Sequence, residues 1–110
     1  MSKDYKITHT FFIAGAQYHN MYDVLDKLEE GLELILTPEP NNQYDSNAVK
    51  IEYVDSDNIH TMLGYVPRKF SSEVCAKFEA GRELSCIITE LNAEAKPWNR
   101  CEVEIRQLED

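Results

Sequence analysis

The sequence predicts a mainly β (α+β) fold: six short strands forming a small barrel or a strongly bent sheet, with two short helices. Three observations predict it. Runs rich in β-branched, aromatic and leucine residues recur at regular short spacing, separated by Gly, Pro, Asn and Asp. Only two segments carry helix signals, too few to cover both faces of a doubly wound sheet. The 110 residues, 43% of them apolar, suffice for one modest core and a single domain over 1–110.

Tyr5 to Gln17 reads as the first strand, through Ile7, Thr8, Thr10, Phe11, Phe12 and Ile13, with a bend or close backbone approach at Gly15. Asn20 to Glu30 reads as a short helix capped by Asn20, closed by Gly31, with Val24, Leu25 and Leu28 as its inner stripe. Leu32 to Thr37 alternates, placing Leu32, Leu34 and Leu36 on one face, and Pro38 and Pro40 stop it. Asn41 to Asn47 is a polar turn. Ala48 to Val54 and Ile59 to Val66 form a hairpin across Asp55-Ser56-Asp57-Asn58.

Pro67 suits the first turn of a second helix, which runs to about Ala80 before Gly81. Phe70, Val74 and Phe78 recur on its inner face at a spacing of four. Glu83 to Leu91 and Arg100 to Leu108 supply the last strands, joined by a loop with Pro97 and Trp98; Trp98 there is either a lid or a packing residue. The first few residues and Gln107 to Asp110 are expected to fray.

Eleven Lys and Arg against 20 Asp and Glu give a formal net charge of -9. Such a chain repels polyanions at long range, which counts against non-specific nucleic-acid binding but leaves room for a small basic pocket. Cys75, Cys86 and Cys101 are odd in number and lack C-x-x-C spacing, so free thiols in a reducing cytosol are expected rather than disulfides or a thiolate metal site. No apolar leader or membrane-length segment is seen, so the protein is expected to be cytoplasmic, with no membrane partner.

Enzyme signatures are missing. There is no phosphate-cradling glycine loop, G-x-S-x-G or H-E-x-x-H. His9, His19 and His60 fall on separate segments. Asp55 and Asp57 open like a calcium loop, but His60 stands where its glycine belongs and Val66 where its glutamate belongs. Glu39, Asp45 and Glu52, or Glu94 with Lys96, could serve a metal-dependent nuclease only if folding gathered them around an ion. No enzyme, metal or cofactor is expected.

Two segments carry the information. Glu39-Pro40-Asn41-Asn42-Gln43-Tyr44-Asp45-Ser46-Asn47-Ala48-Val49 leads from a turn into a strand, and Leu63-Gly64-Tyr65-Val66-Pro67-Arg68 leads from a strand into a helix. Together with Phe12 to Gly15 and Leu32 to Leu36 they resemble the HIRAN domain family over about Thr10 to Val103. The resemblance implies an OB-like six-stranded β-barrel with two short helices. It also implies a module that grips single-stranded DNA at a free 3′-hydroxyl in repair or replication-related processes, with a separate helicase or repair protein as a further partner.

On that resemblance Tyr44 stacks on the terminal base, Asp45 accepts a hydrogen bond from the 3′-hydroxyl, and Asn42 offers amide hydrogen bonds. Tyr65 hydrogen-bonds a phosphate, Arg68 supplies the cation, and Phe12 gives a second stacking face. Plainer roles stand beside these. Asn47 is expected to tie the turn's backbone, Asp45 could cap backbone N–H groups, Tyr44 could pack on the rim, and Arg68 could be an ordinary surface cation. DNA-binding members can carry a basic residue beside the strand aromatic, where Phe11 and Ile13 stand here; Lys50, Lys69 and Lys77 are the candidates to supplement Arg68. A protein–protein interaction module that has lost DNA binding is the alternative, motivated by the acidic surface.

Overall fold

The computed structural model describes residues 4–109; the fraying expected at residues 1–3 and 110 lies outside them. Strands β1 (Asp4–Phe12), β2 (Glu33–Pro38), β3 (Val49–Val54), β4 (His60–Tyr65), β5 (Leu84–Leu91) and β6 (Cys101–Glu109) form one antiparallel sheet in the order β1-β6-β5-β2-β3-β4. Helices α1 (Met21–Val24) and α2 (Arg68–Glu79) complete it.

The sheet bends at register shifts between Ile7 and His9, Ile51 and Glu52, and Ile88 and Glu90. Such bulges increase local twist and let a sheet curl on itself. The end strands do not join by a continuous ladder. They meet at one bridge just past β1, where Ala14 and Tyr65 exchange backbone hydrogen bonds of 2.9 and 2.8 Å. The sheet is thus not closed into a barrel; its ends are tied at this bridge, an arrangement compatible with an OB-like barrel.

Inward alternation fills the interior. Leu34, Val49, Ile51, Leu63, Cys86, Ile88, Val103 and Ile105 are each no more than 1% exposed. Val74 and Cys75 of α2 join them, with Phe70 and Phe78 packed alongside. Leu34 is buried between the exposed Glu33 and Ile35, with Leu32 and Leu36 packed against the core, as the alternation of β2 requires. All three cysteines are free and buried. Burial pushes each thiol up, Cys101 to about 12, and so favours the protonated form.

Three elements differ from the sequence expectation. The first strand stops at Phe12, and Gly15 at φ 72° turns the chain into a 3₁₀ turn over Ala16–Tyr18. The first helix is only one turn, followed by a second 3₁₀ turn at Leu25–Lys27. Asn20 makes no side-chain cap; its N–H is held by the Met62 carbonyl at 3.1 Å. The Gly31 N–H is held by Ile88 at 2.7 Å, so tertiary bonds fix both ends of a segment too short for a full helix. Residues 107–109 are strand rather than frayed: Gln107 pairs with Lys6 and Leu84 and is 7% exposed.

Candidate nucleic-acid interface

The bridge between Ala14 and Tyr65 brings four stretches of chain to one rim. Ala14, Gly15, Tyr18 and His19 come from the end of β1 and its turn; Asn42 to Asp45 and Ala48 come from the loop between β2 and β3. Tyr65, Val66 and Arg68 come from the end of β4 and the start of α2. Together they line an open cleft of about 850 Å³.

The loop is built by its own side chains. Asn42 Oδ1 accepts from the Tyr44 N–H at 2.9 Å and the Asp45 N–H at 3.0 Å. Its Nδ2 donates to Glu39 Oε1 at 3.2 Å. Glu39 N–H donates to the Ala48 carbonyl at 2.8 Å and closes the loop's base. Asn42 therefore performs the turn-tying role expected of the Asn47 side chain. Asn47 contributes its backbone N–H, 2.8 Å from Asp45 Oδ1.

Asp45 links this loop to α2. Ser71, 2% exposed, places its hydroxyl 2.8 Å from Asp45 Oδ2. The Asn47 N–H, then the Ser71 hydroxyl and the Arg68 charge hold the Asp45 carboxyl below its ordinary value of 3.8 despite some burial. A depressed carboxyl stabilises the fold above its unfolded value, and that contribution fades as pH falls from about 3.8 through the lower native value. Ser71→Ala is expected to cost about 1–2 kcal/mol in urea unfolding at pH 7. The difference from the parent should shrink at pH 2.5; an equal loss at both pH values would separate Ser71 from the Asp45 charge.

Tyr65 is committed inward. Its hydroxyl donates to Glu39 Oε1 at 2.7 Å. Burial, then the Glu39 carboxylate, pushes its pKa up to about 12. His19 lies edge-on to the Tyr65 ring, 5.7 Å between centroids. Tyr44 and Tyr18, by contrast, are 78% and 80% exposed, and both line the cleft.

Of the residues singled out from sequence, Asn42, Tyr44, Asp45, Tyr65 and Arg68 thus come together. Phe12 does not. Its neighbours, Phe11 in β1 and Ile13 just past it, are buried, so Phe12 points to the opposite face, opposite Glu102, away from the cleft lining. Tyr18 and His19 were missed because the segment through Gln17 reads as continuous strand; the signal was the exposed-type Gln17-Tyr18-His19-Asn20 run after Gly15.

None of the supplementary lysines lines the cleft. Lys50 lies 3.7 Å from Glu52, Lys69 sits over the Phe70 ring, and Lys77 bonds Gln107. Glu52 is held by His60 and Lys50 on β3 rather than beside Asp45. Among the described residues no three His, Cys, Asp or Glu side chains gather as a metal-ligand set. No helix of the described residues is long and apolar enough to cross a membrane. Trp98 lies in a 3₁₀ turn (Pro97–Asn99), 51% exposed, packed beside the turn that carries Tyr18.

No curated protein matches the chain. Among solved structures it is similar to a structural-genomics target from Lactobacillus plantarum, with a TM-score of 0.81 and 25% identity over 99% of this chain and 100% of that one. It also superposes on the HIRAN domain of human HLTF, with a TM-score of 0.62 and 13% identity over 94% of this chain and 77% of that one. The HIRAN domain model matches residues 7–105. Taken with the loop and cleft described above, this places the chain in the HIRAN domain family, a family of nucleic-acid-binding modules.

Proposed function

We propose that this single domain recognises ends of single-stranded DNA, with preference for a free 3′-hydroxyl, in repair or replication-related processes. It acts by binding and not by catalysis. The observation that carries the reading is the convergence of Tyr44, Asp45 and Arg68 on one open cleft. The exposed Tyr44 ring offers a stacking surface worth ~1–3 kcal/mol per base. Asp45 remains an acceptor with lone pairs beyond those taken by Asn47 and Ser71, so it suits a hydroxyl donor and repels a terminal phosphate. Arg68 supplies the cation for the strand. The second stacking face expected of Phe12 falls to Tyr18, which lines the same cleft.

Fluorescence anisotropy with oligonucleotides ending in a 3′-hydroxyl or a 3′-phosphate tests the reading. The hydroxyl end is expected to bind at least tenfold more tightly, a difference of about 1.4 kcal/mol. Asp45→Ala should bring the two ends to near equality. Equal binding by the parent protein, or none at low salt, refutes end recognition. The acidic surface, net charge -9, favours as a second reading a module that docks a helicase or repair protein without DNA. A partner retained from nuclease-treated lysate, together with no oligonucleotide binding, would select that reading.

A further inference from the structure

β1 stands at the end of the strand order, with β6 on its inner side. The bridge at Ala14 lies past the strand, so among the described residues no strand pairs with Asp4–Phe12 on its outer side. Such an edge presents unpaired N–H and C=O groups to any extended chain. Thr8 adds to them, because the register shift between Ile7 and His9 leaves it without a partner in β6.

α2 runs beside this edge. Its Phe70 ring packs on Phe11 and edge-on to His9, with centroids 6.0 and 5.1 Å away. An open groove of about 500 Å³ lies between the two elements, with Thr8 and His9 on one wall and Ala76, Lys77 and Ala80 on the other. Ala76 and Ala80, about one turn apart, extend only a methyl each and keep the helical wall low. Arg82, just past the helix, also lines the groove.

The groove's charge is opposite in sign to that of the chain. Lys77 donates to the neutral Gln107 amide oxygen at 3.1 Å, and Arg82 is exposed. Neither cation has a carboxylate partner among the described residues. Glu73, the acid in the lining, lies 2.9 Å from His9 Nε2 and is already engaged. Two uncompensated cations thus sit beside an open strand edge in a protein of net charge -9. Ser71, which bonds Asp45, and Glu73, which meets His9, are about 200° apart around α2. The groove therefore lies on the flank of α2 away from the cleft.

We propose that this groove docks an extended acidic peptide segment of a partner protein. The segment adds as a short strand to the outer edge of β1 around Thr8 and sets carboxylates on Lys77 and Arg82. Strand addition supplies main-chain hydrogen bonds, and the cations select the sequence. A nucleic-acid backbone fits less well, since its phosphates accept hydrogen bonds but offer no N–H donors to the C=O groups of the edge. The site is separate from end recognition and does not depend on it.

The test titrates the whole ¹⁵N-labelled domain with the peptide acetyl-Glu-Thr-Glu-Val-Glu-Thr-Glu-amide. Saturable amide shifts are expected along Tyr5 to Thr10 and Glu73 to Arg82. The same peptide with lysine for glutamate should bind at least about tenfold more weakly. Arg82→Gln, at an exposed position, should weaken the acidic peptide at least about fivefold while leaving the fold and oligonucleotide binding unchanged. An added strand uses one of its edges, and alternate residues face opposite edges. N-methylating the Thr and Val amides should therefore differ in cost from N-methylating the Glu amides by at least about tenfold.

Equal cost of the two methylation patterns, equal binding of the acidic and basic peptides, or no groove shifts with the acidic peptide overturns the proposal. Groove shifts that appear with protein concentration alone would put a second copy of the chain there and overturn it too. So would groove shifts from an oligothymidylate with no response to the peptide, which would make the groove a nucleic-acid site.

Discussion

Tyr44→Ala is expected to weaken binding of a 3′-hydroxyl oligonucleotide by about five- to 150-fold with little change in stability. The fold-change follows from ~1–3 kcal/mol for one stacked base. The unchanged stability follows from the structure: the ring is 78% exposed, and the loop is held by the Tyr44 backbone N–H, not its side chain. Tyr44→Phe should keep most of the affinity, since the ring face and not the hydroxyl does the stacking. Anisotropy measures the first effect and urea unfolding the second. If Tyr44→Ala binds like the parent, the ring faces solvent and nothing else.

Gly64→Ala is expected to destabilise the protein by about 2–5 kcal/mol and to weaken end binding together with it. A Cβ at position 64 would lie 2.6 Å from Ile13 Cγ2 and closer still to the Ala14 carbonyl oxygen, and the residue's φ of 156° disfavours any side chain. Those neighbours are backbone and a buried core atom, so they cannot move aside cheaply. The clash falls on the Ala14–Tyr65 bridge, which among the described residues joins the sheet's two ends at the cleft. An unfolding midpoint within error of the parent would show that the barrel tolerates an open seam there.

The informative loop could be read from sequence because its residues act locally. The side chains of Asn42 and Asp45 accept from backbone N–H groups two or three residues further on, a chemistry set by residue type and spacing alone. The same holds for α2, whose Phe70, Val74 and Phe78 spacing matches the face it packs. Phe12 shows where that logic ends. With Phe11, Phe12 and Ile13 all apolar, alternation cannot say which of them points inward, and pairing with β6 decided it.

Tyr18 and His19 lay hidden for a different reason. They reach the cleft only because Gly15 adopts φ 72° and Ala14 is pinned to Tyr65, a contact between residues far apart in the chain. The short α1 has the same cause: its ends are fixed by Met62 and Ile88, and no local propensity reports those partners. The setting of Tyr65 likewise turns on Glu39, 26 residues earlier, which accepts the hydrogen bond of the Tyr65 hydroxyl.

The central claim is that the rim at the Ala14–Tyr65 bridge is the binding surface. Titrating ¹⁵N-labelled protein with a short 3′-hydroxyl oligonucleotide tests it most directly. Amide shifts should concentrate at Gly15 to His19, Asn42 to Ala48 and Tyr65 to Arg68. Shifts centred on the groove of Thr8, His9, Lys77 and Arg82 with a silent seam would contradict it.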